Sequence, residues 1–260
     1  MRANRSGGVT AALLPAFPPP MPTDFADLIA RRADTVRTRI AAAAAASGRA
    51  PEAVTLVAVT KTHPVETVDA ALAAGLLDLG ENRVQELAEK AAARPGEASG
   101  GAHRWHLIGQ LQRNKARDAV HLADLIHGVD SARLAEALDG RAGEAGRVVP
   151  VLVQVNISGE ASTSGVASEA AHDLMALVAG CAHLRLTGLM GIAAPAADRA
   201  ETEQIVRPAF RALRTLFDAY AGPGRDGLTV LSMGMSGDYD VAIEEGSTLV
   251  RVGSALFGAR

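Results

Sequence analysis

The chain has 260 residues, a net charge of −3 and a hydrophobic fraction of 48%. This length fits one large α/β domain, and the near-neutral charge gives no basic surface of the kind that binds nucleic acid. The single cysteine, Cys181, excludes an intramolecular disulfide and a metal site built from several cysteines. No apolar run reaches the ~18 residues that a membrane span needs.

Residues 1–22 are predicted to form a disordered leader ahead of the folded domain. They include Pro18-Pro19-Pro20. The apolar stretch 11–14 is short and is followed at once by Pro15, which argues against a secretory signal peptide. Met21 is a candidate for the true translation start, because the first predicted helix follows it directly.

That helix is predicted to begin with an N-cap at Thr23 or Asp24 and to end at Ser47-Gly48, before Pro51. The next run, 54–61, consists mainly of β-branched and aliphatic residues. This composition is typical of a strand that is buried on both faces, as in a parallel sheet.

From residue 64 to the C terminus, strand patterns alternate with helix patterns. The predicted strands after the first are the apolar runs 76–79, 105–108, 125–129, 148–157, 184–190, 228–233 and 248–252. The predicted helices are 65–74, 84–93, 114–121, 130–143, 168–180, 199–220 and 239–245, with a final turn at 254–257. Eight such units predict a single TIM-like (β/α)8 barrel over residues 23–260, with an additional N-terminal helix. An open doubly wound sheet is the alternative, and it lacks the G-x-G-x-x-G turn expected after an early strand.

In such a barrel the functional site lies at the C-terminal ends of the strands, and Lys61 stands at the end of the first one. Desolvation there would disfavour the charged ammonium, and a neutral amine is a nucleophile for carbonyl compounds. The alternative is a lysine whose ammonium simply reaches solvent from a strand end. The histidines are too scattered for a metal set and are predicted to be structural; they are His63, His103, His106 and His127.

Two loops rich in small residues, 232–237 and 251–254, follow the last two strands. Glycines let backbone N–H groups approach an anion, and the loops after strands seven and eight are the usual phosphate site of this barrel class. Together with Lys61 and Arg251, these loops suggest pyridoxal 5′-phosphate (PLP) as a cofactor. The lysine would hold its aldehyde, the loops its phosphate, and the arginine would face its pyridine nitrogen.

Seven stretches add a more specific resemblance. They are AVTKTHP (58–64), LGENRVQE (79–86), WHLIGQLQRNK (105–115), VQVNIS (153–158), SGV (164–166), GLMGI (188–192) and LSMGMSGDYDVAIEEGSTLVRVGSALFGAR (231–260). In this order they resemble the YggS/PROSC family of PLP homeostasis proteins, which is related in fold to the N-terminal barrel of alanine racemase. The chain departs from the family pattern at Gln110, where proline or histidine is common, and at 236–240, where SGDYD replaces the more usual SDDM.

The resemblance implies which residues hold the cofactor. Lys61 would carry it as an aldimine. The other implied residues all follow strand ends; they are Asn82 near the ring, Arg251 at the ring nitrogen, and Ser232, Gly253 and Ser254 at the phosphate.

The resemblance also implies a function: the protein would hold PLP and take part in its intracellular homeostasis and delivery, without efficient turnover. Apo forms of PLP-dependent enzymes would be its partners, and we expect a cytoplasmic monomer with no metal, nucleic acid or membrane partner. The alternative is a PLP-dependent amino-acid racemase or isomerase on the same barrel. A Schiff-base aldolase that uses no cofactor is a third hypothesis.

Racemisation through two bases needs a proton donor on each face of the substrate, and Lys61 serves only one. In alanine racemase the other face is served by a tyrosine from a second domain, which we expect this chain to lack because it ends just after the eighth strand. Of its two tyrosines, Tyr220 is predicted at the end of a long helix and Tyr239 in the loop after strand seven, near the phosphate. We therefore expect only trace racemisation.

Overall fold

The computed structural model of the chain describes residues 23–160, 163–220 and 228–258; the predicted leader 1–22 lies outside them. In the described ranges, parallel strands close into a barrel in chain order, each pairing with the next and the last with the first. The strands are β1 (Thr55–Val59), β2 (Asp78–Glu81), β3 (Arg104–Leu107), β4 (Leu125–Val129), β5 (Val149–Asn156), β6 (Leu184–Ile192), β7 (Val230–Ser232) and β8 (Leu249–Val252). The predicted barrel is confirmed.

Helices follow the strands on the outside of the barrel, and one helix precedes it, as predicted. They are α1 (Thr23–Ala46), α2 (Val65–Ala73), α3 (Val84–Ala93), α4 (Ala116–Leu122), α5 (Ala132–Glu144), α6 (Ser168–Ala179), α7 (Arg199–Glu201), α8 (Arg207–Tyr220), α9 (Tyr239–Glu244) and α10 (Ser254–Phe257). None of these described helices combines the length and apolar character that a membrane crossing requires.

The strand register determines which loops meet at the C-terminal end of the barrel. At the closing seam, β1 runs beside β8, with Ala58 opposite Val252. On the other side of β1, Val59 lies opposite Gly80 of β2. The residues that follow β1, β2 and β8 therefore emerge side by side at the same mouth.

The apolar core has two layers. A small cluster fills the barrel interior; its buried members are Val57, Val59, Ile108, Leu125, Leu152, Met190 and Leu249. The larger cluster lies between the barrel and the helices. Helix α1 contributes Ile29, Ala33, Val36 and Ile40 to it, and their spacing of three and four residues forms one buried stripe. Because α1 packs against α2, α9 and α10, it covers the helices that flank the β1–β8 seam.

Strand β2 begins at Asp78, two residues later than predicted. The reason is the end of α2, where Gly75 adopts a left-handed conformation with φ 70°. The Leu76 N–H then donates to Ala71 O (3.0 Å), which completes a glycine-type C-cap for the helix. Leu76 is therefore used by the helix cap and is not available to the strand ladder.

The predicted helix 199–220 contains a π-helical turn, Thr202–Val206, between α7 and α8. Pro208 lies just beyond this turn. Proline has no N–H to donate to the carbonyl four residues before it, and its ring crowds that carbonyl. A widened turn ahead of the proline accommodates the ring without ending the helix.

Candidate functional site

A cavity of about 610 Å³ opens among the loops at the C-terminal ends of the strands. Five of the six residues predicted to hold a cofactor line it; they are Lys61, Asn82, Arg251, Gly253 and Ser254. The structure therefore brings together residues that are as much as 193 positions apart (254 − 61) in the chain. The parallel barrel is the cause, because it gathers every strand's C-terminal end on one face.

Lys61 lies at a sharp backbone turn after β1. The next residue, Thr62, has φ 65°, and it is the one non-glycine residue in the described ranges with a positive φ. A left-handed conformation is unfavourable for a β-branched residue by roughly 1–3 kcal/mol. Glu86 of α3 holds the turn, because its Oε2 accepts a hydrogen bond from the Thr62 N–H (2.9 Å). The direction in which Lys61 leaves the strand is thus fixed by α3.

The residue before Lys61 is also fixed, by a buried ion pair. Lys90 Nζ lies 2.6 Å from Glu81 Oε1 and 2.7 Å from Thr60 O, and the Thr60 hydroxyl donates to the same Glu81 oxygen (2.6 Å). Burial raises the pKa of Glu81 against the opposing hydrogen bond from Lys90. Removing one member of such a pair leaves an uncompensated buried group. The Glu81–Lys90 pair therefore fixes the backbone and the side chain of Thr60, just after the end of β1.

Arg251 of β8 has an almost fully buried side chain (4% exposed). Its Nη1 donates to Ser232 Oγ (2.6 Å), and its Nη2 donates to Gly191 O (3.1 Å). Burial lowers the pKa of Arg251 to about 10, against the opposing charge of Asp238. The guanidinium therefore remains a cation at neutral pH and also lines the cavity.

Ser232 was predicted to hold the phosphate, and it is the one residue of the predicted set that does not line the cavity. It is fully buried, and its hydroxyl lies between Arg251 and His127. A sequence motif locates the residue at the end of β7, but it does not tell which way the side chain points. Ser232 is a hydrogen-bond partner of Arg251 in the barrel interior.

Another serine takes the position beside Gly253. Ser236 Oγ accepts hydrogen bonds from the backbone N–H groups of Gly253 (3.2 Å) and Ala255 (3.3 Å), and Ser236 and Gly237 both line the cavity. A side chain on Gly253 would bring its Cβ within 3.3 Å of Val59 O. This corner thus brings two backbone N–H groups and a hydroxyl together beside small residues. An anion that took the place of the Ser236 Oγ would receive both N–H groups.

Gln154 was not predicted, although it belongs to the cavity. Its side chain is buried, its Nε2 donates to Ser164 O (2.9 Å), and its Oε1 has no hydrogen-bond partner among the described residues. Leu152 lies on the same inward face of β5, because alternate residues of a strand share a face. That two-residue spacing, with a polar residue at an inward position near the strand end, is the signal that could have identified Gln154.

The charge of the cavity wall is one-sided. Among the described residues that line it, the ionisable ones are Lys61, His63 and Arg251, and there is no aspartate or glutamate. The whole chain carries a net charge of −3, so the positive lining of the cavity differs in sign from the chain as a whole. Such a lining favours a ligand with negative charge.

The remaining candidates for acid–base chemistry lie away from the cavity. Tyr239 begins α9 and is fully buried in the outer layer, with the Arg39 guanidinium 4.9 Å from its ring centre. Tyr239 was predicted near the phosphate, and its side chain does not line the cavity. Cys181 precedes β6 and is therefore at the other end of the barrel. Within 23–160, 163–220 and 228–258, no three His, Cys, Asp or Glu residues are grouped closely enough to hold a metal ion.

The chain matches one family model along most of its length. The model, described as alanine racemase, N-terminal domain, matches residues 32–260. Among curated relatives, the pyridoxal phosphate homeostasis protein of Pseudomonas aeruginosa is 43% identical over 233 residues, covering 89% of this chain and 96% of the relative. The protein of the same name from Escherichia coli K12 is 39% identical over 235 residues, covering 89% and 97%.

Solved structures give the same grouping. PipY from Synechococcus elongatus PCC7942, solved with PLP bound, is 37% identical with a TM-score of 0.73, covering 88% of this chain and 100% of PipY. A protein from Bifidobacterium adolescentis has a TM-score of 0.82 at 38% identity, covering 91% and 97%. Alanine racemase from Clostridium difficile 630 is only 14% identical, with a TM-score of 0.70 over 92% of this chain and 60% of the racemase, so that likeness concerns the fold alone.

Proposed function

The chain belongs to the YggS/PROSC family of pyridoxal phosphate homeostasis proteins, and on that premise we propose that it binds PLP and hands it on, without efficient turnover of a substrate. One observation carries the proposal: the cavity brings a strand-end lysine, a buried arginine and a backbone anion corner together, with no carboxylate among its described lining residues. The likeness to PLP-bound PipY supports the identity of the ligand.

Each part of the cavity has a role in this proposal. Lys61 supplies the amine that attaches the cofactor covalently through its aldehyde. When bound, PLP supplies that aldehyde and an electron-withdrawing pyridine ring. Arg251 can only donate hydrogen bonds, so it favours a ring nitrogen that carries no proton.

The phosphate is held at the other end of the cavity. We assign it to the corner formed by Ser236, Gly237, Gly253 and Ser254. There the Gly253 N–H would exchange its bond to Ser236 Oγ for one to the phosphate. Ser232 acts through Arg251. Asn82 and Gln154 also line the cavity, and Gln154 Oε1, which has no hydrogen-bond partner among the described residues, gives it a hydrogen-bond acceptor.

The hand-over role rests on what the cavity lacks for catalysis. A two-base racemase needs a second proton donor across the substrate from the lysine. His63 is the other titratable base in the described lining, and it leaves the same loop as Lys61. We further propose that the protein works in the cytoplasm as a monomer and that apo forms of PLP-dependent enzymes receive the cofactor.

Borohydride reduction followed by peptide mass spectrometry tests the site. The chain has only three lysines, Lys61, Lys90 and Lys115, so the assignment of the adduct is unambiguous. We expect the pyridoxyl adduct on Lys61 and no visible cofactor band in Lys61→Ala. Lys115→Ala is the matched control and should keep both. A pyridoxyl adduct found mainly on Lys115 in the wild-type chain would contradict the proposal.

A further inference from the structure

A line of hydrogen-bonded side chains crosses the barrel interior from the cavity to the opposite end. Arg251 Nη1 donates to Ser232 Oγ (2.6 Å), and that hydroxyl lies 3.1 Å from His127 Nδ1. His127 Nε2 lies 3.0 Å from His106 Nδ1, and His106 Nε2 lies 2.8 Å from Asp78 Oδ1. Ser232 and His127 are fully buried, and His106 is nearly so.

The far end of this line is an anchored carboxylate. Asp78 begins β2 at the N-terminal end of the barrel, and Arg104 at the start of β3 bonds to it (Nη2 to Oδ2, 2.9 Å). Burial would raise the pKa of Asp78, but its hydrogen bonds and charge contacts with His106 and Arg104 outweigh burial and hold the pKa below the ordinary value. Asp78 is therefore an acceptor at neutral pH.

The two ends decide the direction of every bond between them. A guanidinium can only donate, and an ionised carboxylate can only accept. Starting from Asp78, His106 must carry its proton on Nε2, which leaves its Nδ1 as an acceptor. His127 then carries its proton on Nε2 and accepts at Nδ1 from the Ser232 hydroxyl. The lone pairs of Ser232 remain to accept from Arg251.

The opposite direction of hydrogen-bond donation, from His106 towards Ser232, is energetically unfavourable at Ser232. It requires a doubly protonated His106 and a His127 that donates from Nδ1 to the serine. Ser232 would then receive two donors, and its own O–H would have no acceptor among the described residues. A buried hydroxyl without a partner is unfavourable, and burial together with the neighbouring His106 and Arg251 already lowers the pKa of His127 well below the ordinary value.

We propose that Ser232, His127 and His106 are positioning residues that hold the Arg251 guanidinium in one orientation at the cavity, through a chain of hydrogen bonds that runs in one direction from Arg251 to Asp78. Two of the five guanidinium donors are used by Ser232 and Gly191 O, and the same side chain lines the cavity, where its other donors can meet a ligand. That these donors meet the ring nitrogen of PLP rests on the proposed function.

Histidine nitrogen NMR on the full unliganded chain tests the direction of the bonds. We expect neutral rings with the proton on Nε2 for both His106 and His127 at neutral pH, with assignment by single His→Gln variants. A doubly protonated His106, or a His127 protonated on Nδ1, would overturn the proposal. Because the measurement uses no PLP, its outcome is independent of whether the protein binds that cofactor.

A pair of serine variants tests the positioning role. Ser232→Ala removes the hydroxyl that accepts the hydrogen bond from Arg251. Ser247→Ala is the control, because its hydroxyl is equally buried and its described hydrogen bonds go to the backbone carbonyls of Leu231, Met233 and Leu249. We expect Ser232→Ala to shift the absorption band of bound PLP and to release it about tenfold faster, as expected when a hydrogen bond to a buried charge is lost. Ser247→Ala should leave band and release rate unchanged. If the two variants have the same absorption band and the same PLP release rate, the positioning role is wrong. If the wild-type chain binds no PLP, the proposed function is wrong, but the histidine NMR result still tests the direction of the hydrogen bonds.

Discussion

Gly253 leaves little room for a side chain beside Val59, at the end of β1. A Cβ at this position would lie 3.3 Å from Val59 O and 3.4 Å from Val59 Cβ. Gly253→Val should therefore displace the backbone N–H groups of the phosphate corner and weaken PLP binding more than tenfold, whereas Ser254→Ala keeps its N–H and should weaken it by less than about threefold. Equilibrium titration of both variants checks this order.

The same titration with pyridoxal, which lacks the phosphate, adds a second comparison. Wild-type chain should bind pyridoxal much more weakly than PLP. Gly253→Val should bind the two forms with similar affinity, because its phosphate corner is lost. Equal binding of the two forms by the wild-type chain would contradict a phosphate site at this corner.

His127 links stability to pH. Burial lowers its pKa well below the ordinary value of 6.5, so below pH 6.5 the unfolded chain takes up a proton that the folded chain does not. The stability associated with neutral His127 is present above pH 6.5 and is lost as the pH falls below it, by up to about 1.4 kcal/mol per pH unit. Urea unfolding at pH 7.5, 6 and 5 should show a steeper loss in the wild type than in His127→Gln. Parallel losses would show that His127 titrates normally in the folded chain.

At the scale of single elements, the β1–α2 loop depends on α3. Glu86 accepts the Thr62 N–H and so stabilises the left-handed turn beside Lys61. Glu86→Ala should cost about 1 kcal/mol in unfolding free energy and should lower the rate at which borohydride-trapped adduct forms on Lys61. Glu89→Ala, an exposed neighbour on the same helix, is the control and should change neither. Equal adduct rates in both variants would remove Glu86 from the account.

The elements themselves were largely predictable, because hydrophobic period and glycine or proline punctuation are local signals. Lys61 and Arg251 could be assigned to the predicted site from their positions at the ends of predicted strands alone. What failed was side-chain direction and contact between distant segments. Ser232 points beneath Arg251, and Gln154 enters the cavity from within β5. Both depend on the barrel's register, which a single sequence does not give.

The whole molecule is a barrel whose interior is partly polar. The inner apolar cluster is small. The hydrogen-bonded side chains from Arg251 to Asp78 occupy part of the remaining interior, from one end of the barrel to the other. Fully satisfied buried polar groups favour one specific arrangement over alternatives. The barrel places a hydrogen-bonded donor, Arg251, in the same cavity as a lysine whose neighbours on both sides, Thr60 and Thr62, are held by hydrogen bonds. That geometry suits holding a cofactor, and His63 is the other titratable base among the described residues that line the cavity.

The central claim is that the loaded protein hands PLP on and does not turn over a substrate. The most direct measurement mixes PLP-loaded chain with the apo form of a PLP-dependent enzyme and follows the activity that the enzyme regains, with L-alanine racemisation by the loaded chain assayed in parallel. We predict that the enzyme regains activity as the bound-cofactor band of the chain disappears, and that racemisation stays at trace level. Retention of the cofactor, together with racemisation at roughly 1–10³ per second that is lost in His63→Ala, would show that the protein is an enzyme and does not hand the cofactor on.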